Sequence, residues 1–115
     1  MTDPTCPFCR IAAGSLPADL VATDESWVAF RDLHPQAPVH VLVVPRRHLA
    51  SAVDLEADPA LAGALLAAVV RVARREGLEE RGYRVVTNVG REGGQTVAHL
   101  HFHLLGGRPC RWPPG

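Results

Sequence analysis

Lysine is absent from the 115 residues: all twelve basic side chains are arginines, and twelve Asp and Glu balance them. The zero formal net charge removes the broad basic surface that nucleic-acid coating requires, leaving room only for a local pocket that takes one phosphate group. No apolar run approaches the roughly 20 residues needed to span a membrane. Met1-Thr2-Asp3-Pro4 has neither the basic nor the apolar region of a signal peptide, so a cytoplasmic location without a membrane partner is expected. Three cysteines are too few for a disulfide framework. In a reducing compartment Cys6-Pro7-Phe8-Cys9 reads instead as metal or redox chemistry, and Cys110, with no partner at suitable spacing, as an ordinary thiol. Repeats, low-complexity tracts and linker-like runs are absent as well. With 47% hydrophobic residues the chain is expected to fold as one domain over 1–115, with 1–5 as a flexible N-terminus.

The elements are read from periodicity and punctuation. Asp58 supplies an N-cap, Pro59 a first helical position, Leu61 to Ala73 an apolar-rich run, Arg74 and Arg75 a favourable C-terminal charge, and Gly77 a stop. This is the one long helix expected. Cys6 to Ala13, ending at Gly14, reads as a short helix. Leu20–Thr23, Trp27–Arg31, Val39–Val44, Tyr83–Val89 and Val97–Leu105 read as strands, the last two separated by the glycine-rich turn Gly90 to Gly94. Short connections favour antiparallel pairing, so the expected class is α+β, with a sheet of about five strands and the long helix across one face.

Histidine is concentrated in one place. Three of the six fall in His99-Leu100-His101-Phe102-His103, alternating with large apolar residues. A period of two is the strand signature, so three imidazoles are expected in a row, neighbours about 7 Å apart, while Leu100, Phe102 and Leu104 face the core. Thr, Lys or Glu would serve a solvated face as well, so the repetition favours a catalytic or metal-binding row. An imidazole with a pKa of about 6.5 is a nucleophile at neutral pH without a separate base. The Cys6–Cys9 spacing alone leaves a redox pair, a zinc half-site and two unrelated thiols open, since zinc needs two further ligands.

With Gly93-Gly94-Gln95-Thr96 before it and Gly106-Gly107-Arg108 after it, the histidine segment resembles the histidine-triad superfamily of nucleotide hydrolases and transferases. The resemblance runs through Asp32-Leu33-His34-Pro35-Gln36-Ala37-Pro38-Val39-His40 and Pro45-Arg46-Arg47-His48 to Trp112-Pro113-Pro114-Gly115, covering nearly the whole chain from Cys6. Its ending is similar to the purine nucleoside phosphoramidase branch; the dinucleotide-hydrolase branch usually carries Pro-Arg where this chain has Gly106-Gly107.

The resemblance implies cleavage of the P–N bond of purine nucleoside 5′-phosphoramidates through a nucleotidyl-histidine. His101 is then the nucleophile, His103 the neighbour that hydrogen-bonds the phosphoryl oxygens or protonates the leaving amine, and His40 an orienting partner. Asp32 is implied to take the ribose hydroxyls, and Phe8, Ile11 and Leu33 to surround the base. Asn88, Gln95, Thr96 and Val97 complete the nucleotide-binding set, with Gln95 and Thr96 donating to phosphate. His34 stands where relatives commonly have a small polar residue and receives no role. In zinc-containing bacterial-type members Cys6, Cys9, His48 and His99 would close a structural, four-ligand zinc site. A homodimer is implied, its sheets joined and its tail 108–115 reaching the partner's site. Dinucleoside polyphosphate hydrolysis and a nucleotide-binding interaction module with weak catalysis are the alternatives.

Overall fold

The computed structural model describes residues 2–115; Met1, part of the expected flexible terminus, lies outside the described residues. The chain forms α1 (Pro7–Ala12), β1 (Leu20–Thr23), β2 (Trp27–Arg31), β3 (Val39–Pro45), a 3-10 turn (Ala52–Ala57), α2 (Pro59–Arg75), β4 (Arg84–Val86) and β5 (Phe102–Gly106). The five strands make one antiparallel sheet in the order β1-β2-β3-β5-β4, as the α+β reading expects. Among the described residues no helix is long and apolar enough to cross a membrane.

Local chemistry fixes α2 at both ends. The Asp58 carboxylate accepts from the Leu61 amide at 3.1 Å, Pro59 follows at the position where a missing N–H costs nothing, and Gly77 turns the chain at φ +76°. Leu65, Ala68, Val69, Val72 and Ala73 form its buried stripe, which packs on Trp27, Ala29, Val41, Val43 and Leu104 of the sheet. The opposite face carries Val28, Phe30, Leu42 and Val44, covered by Cys6, Phe8 and Cys9 from α1. β2 and β3 are therefore buried on both faces, which is why each reads as a continuous apolar run rather than an alternating one.

Two strands are shorter than their sequences suggest. β4 stops at Val86 because the chain folds back through a tight glycine turn: a Cβ on Gly93 would lie 2.3 Å from the Val89 carbonyl oxygen, and Asn88 Nδ2 donates to the Gly93 carbonyl at 2.6 Å. β5 begins at Phe102, not at Val97, so His99 and His101 precede the strand. Its partner β3 ends in Pro45, which has no N–H to extend the ladder, and the Pro45 carbonyl is taken by the His99 ring at 2.9 Å. The side-chain alternation survives outside the ladder nonetheless. Leu100 and Leu104 are buried in the α2 cluster with Phe102 packed against it, while the three histidines point to the α1 face. Gly106 has a packing reason too, since a Cβ there would meet Leu78 Cδ1 at 2.6 Å.

Candidate active site and metal centre

The antiparallel register pairs Leu42 with His103 and His40 with Leu105, so His40 and His103 are diagonal neighbours on the α1 face. Their contact begins an ordered chain of imidazoles. The Gln36 backbone N–H donates to His40 Nδ1 at 3.0 Å; an amide can only donate, so Nδ1 holds the lone pair and Nε2 the hydrogen. That Nε2–H donates to His103 Nδ1 at 2.9 Å, which leaves His103 with its hydrogen on Nε2. His101 is fixed from another side: its Nδ1 lies 2.7 Å from the His99 carbonyl oxygen, which can only accept, so His101 Nε2 carries the lone pair. The rings of His101 and His103 are 4.9 Å apart, edge to face, closer than the backbone spacing of a strand because the rings lean together. The geometry thus sets a ring with its lone pair on Nε2 beside a ring with its hydrogen on Nε2.

Burial disfavours the charged forms of His40 and His103. His103 is pushed down to about 4, first by desolvation and then by its neighbours His101 and His40, against the opposing pull of Asp32. His40 is lowered by burial, with Asp32 again opposing. The folded chain therefore resists protonating His103 where the unfolded chain takes up the proton near pH 6.5, so its contribution to stability is complete above that pH and is lost as pH falls toward about 4. Urea midpoints measured from pH 7 to pH 4 are expected to fall, and His103→Gln, which cannot titrate, is expected to flatten that slope; an unaltered slope would contradict the assignment.

A cleft of about 390 Å³ opens beside the two histidines. Phe8, Ile11, Asp32, Leu33, Thr96, Val97, His101 and His103, all expected from the sequence, line it. Phe8 stands edge-on to His101 with ring centroids 5.1 Å apart, and Leu33 is 88% exposed at the rim. Asp32 Oδ1 accepts from the His34 amide at 2.8 Å, while Oδ2 lies 3.4 Å from His40 Nε2. Leu16, Pro17, Ala18, Phe30 and Leu42 extend the apolar wall and were not among the expected residues.

Three expected residues stand apart from the lining. His40 lies behind His103, off the lining. Gln95 spends both amide hydrogens on the carbonyls of Ala50 and Val97, at 2.7 and 3.0 Å, and its Oε1 accepts from the Gly90 amide. Gln95 thus clamps the glycine turn, and Asn88 braces the same turn through Gly93.

A second cluster lies deeper. Cys6 caps α1 and Cys9 sits one turn on, so the two thiols share a helix face, and they converge with His48 and His99 so that all four ligand atoms lie within 4.8 Å of one another. His99, fully buried, holds its Nε2 hydrogen on the Pro45 carbonyl and so directs the Nδ1 lone pair at Cys6 Sγ (3.3 Å), Cys9 Sγ (3.5 Å) and His48 Nδ1 (3.2 Å). Ligands around a tetrahedral zinc with bonds of about 2.0–2.3 Å are separated by about 3.3–3.8 Å, so the donor set fits such an ion in type, number and spacing. The carbonyl behind His99 is the customary partner of a metal-bound imidazole. Burial pushes the Cys9 thiol up, a cost that a bound cation offsets. Asp32, His40 and His103 also cluster, but the Gln36 amide already occupies the His40 Nδ1 lone pair, and the hydrogen this leaves on Nε2 blocks that nitrogen as a ligand.

Residues 13–110 match the HIT domain family. The chain is 52% identical over 109 residues to an uncharacterised HIT-like protein of Synechococcus elongatus, covering 94% of this chain and 95% of that one. It is 42% identical over 103 residues to the purine nucleoside phosphoramidase of Escherichia coli, covering 89% and 87% respectively. Among solved structures, a HIT family hydrolase from Legionella pneumophila superposes with a TM-score of 0.93 at 48% identity, over 96% of this chain and all of that one. Family match, sequence identity and superposed fold agree, and the chain belongs to the HIT domain family.

Proposed function

We propose that this protein hydrolyses the P–N bond of purine nucleoside 5′-phosphoramidates, with His101 as nucleophile. The observation that carries the reading is the hydrogen bond from His101 Nδ1 to the His99 carbonyl, which leaves the Nε2 lone pair free on a ring that lines the cleft. The likeness to the E. coli purine nucleoside phosphoramidase supports the substrate class. Nε2 attacks phosphorus, the P–N bond breaks, and the amine departs with a proton drawn from solvent, which the water consumed in the second step gives back. Water then cleaves the Nε2–P bond and releases the nucleoside monophosphate. His103 Nε2–H donates to the phosphoryl oxygen or the leaving nitrogen, where charge develops during the displacement. His40 keeps that donor in place without touching substrate.

In this reading Asp32 takes the ribose diol, Phe8, Ile11 and Leu33 form the apolar base wall, and Thr96 and Val97 close the phosphate end against the turn held by Asn88 and Gln95; that six of these residues line one cleft supports it. In this reading Cys6, Cys9, His48 and His99 bind zinc; when bound, it supplies a closed crosslink between α1 and the triad segment and no chemistry on substrate. The assembly is a cytoplasmic homodimer with joined sheets, tail 108–115 lying near the partner's cleft. In support, β4 is an edge strand, and Leu66 and Val70 on α2 are exposed.

Adenosine monophosphoramidate and a diadenosine polyphosphate, given in parallel to the purified protein, test the substrate class. Faster turnover of the phosphoramidate is expected; preference for the dinucleotide would overturn it. Asp32→Ala is expected to weaken nucleotide affinity by about 1–3 kcal/mol, the loss of a charge-assisted hydrogen-bond pair. Titration calorimetry with AMP checks this, and unchanged affinity would return Asp32 to the role of a turn residue.

A further inference from the structure

The β4–β5 ladder ends at the pair Val86–His103, and the chain then leaves the sheet toward Gly90. The next residue, Thr87, keeps contact in another way. Its hydroxyl donates to the carbonyl oxygen of His101 at 2.8 Å. His101 precedes β5 and has no strand partner, so a side chain has taken over a bond that the ladder would otherwise supply.

The segment carrying His101 is held by few bonds. The Leu100 amide donates to the Leu49 carbonyl at 2.7 Å, the His101 ring holds the His99 carbonyl, and Thr87 holds the His101 carbonyl. Only the Thr87 bond comes from a side chain that lines neither the cleft nor the Cys–His cluster. A carbonyl in this setting deprived of its donor turns toward another one. Phe102 is fixed in the β5 ladder, so the rigid peptide turns about the Phe102 N–Cα bond, and the Cα of His101, which lies in that plane, moves and takes its ring along.

We infer that Thr87 is a positioning residue: its hydroxyl fixes the peptide of His101 and thereby the direction in which Nε2 meets the phosphorus. The inference rests on His101 being the nucleophile. Reacting atoms tolerate little error, a misplacement of about 1 Å costing about 10²-fold in rate. Asp32, Phe8 and Leu33 are untouched by Thr87, so the effect should fall on kcat and not on KM.

The test compares Thr87→Val, which keeps the shape and loses the hydroxyl, with Thr87→Ser, which keeps the hydroxyl, both as metal-loaded protein. Thr87→Val is expected to lower kcat for adenosine monophosphoramidate by about 10- to 100-fold with KM within about twofold. Thr87→Ser is expected to return kcat to within about threefold of wild type. Thr87→Ala carries the same expectation as Thr87→Val and adds no volume, should the valine fail to fold. A wild-type kcat in both the valine and alanine variants, or a serine variant as slow as valine, would overturn the proposal. A second readout needs no substrate: long-range 1H–15N spectra of the imidazoles should show the His101 Nδ1 proton shifted or broadened in Thr87→Val and restored in Thr87→Ser. If the wild-type protein turns over no phosphoramidate, the functional reading fails, and the spectra still decide whether Thr87 orders His101.

Discussion

Replacing His101 by alanine is expected to remove phosphoramidate turnover by about four orders of magnitude or more while AMP still binds within about tenfold of wild type. The two effects separate because the groups proposed to hold the nucleotide and the nitrogen proposed to form the bond come from different elements. Phe8 and Ile11 come from α1, and Asp32 and Leu33 from the turn after β2, and none of them depends on the His101 ring for its place in the chain. Alanine also strips the donor from the buried His99 carbonyl and removes the edge contact with Phe8, which together cost about 1–3 kcal/mol of stability. His101→Asn, which keeps a side-chain N–H, is the control: it recovers part of that stability and none of the turnover. Steady-state rates on adenosine monophosphoramidate and calorimetric binding of AMP measure both quantities. Comparable rates in wild type and mutant would remove His101 from the mechanism.

What could be read from the sequence was written in side chains, and what could not was written in the backbone. Asp58-Pro59 and Gly77 bound α2 because capping is local, and no distant residue had a vote. The alternation from His99 to Leu104 gave the two faces correctly but not the strand, since strand length depends on the partner. Pro45, at the end of β3, closes the ladder from the other side. The tautomers of His40 and His101 are set by the Gln36 amide and the His99 carbonyl, groups every residue carries, so no residue type could announce them. Gln95 depends on its neighbours in the same way: a side chain of a type suited to phosphate has both amide hydrogens on nearby carbonyls. Phe30 and Leu42 were visible as members of unbroken apolar runs, a sign of burial on both faces, yet only the position of α1 shows that one of those faces is the cleft wall.

Loss of the Cys–His cluster is expected to act on the fold far more than on the chemistry. Protein purified without chelators should carry about one zinc per chain, and Cys6→Ser should lower both the zinc content and the melting temperature, by about 10 °C or more on a scale of roughly 4 °C per kcal/mol for a domain of this size. The cluster ties α1 to the loop after β3 and to the segment before β5, three parts of the chain that are distant in sequence. His99 belongs to the cluster through its ring and to the proposed nucleophile through its carbonyl, which raises the question of whether metal loss also silences His101. The backbone argues against it: Leu100, between the two histidines, is buried and bonded to the Leu49 carbonyl at 2.7 Å without help from the cluster. Four protein ligands would leave no open coordination position, and an imidazole nucleophile would need no metal-activated water. Chelation should therefore reduce activity in proportion to the folded fraction, followed by circular dichroism in the same samples. Activity that vanishes while the fold and melting temperature stay unchanged would assign the metal to catalysis and overturn the closed site. Protein that folds fully and contains no zinc would return Cys6 and Cys9 to free thiols, with the His101 chemistry unaffected.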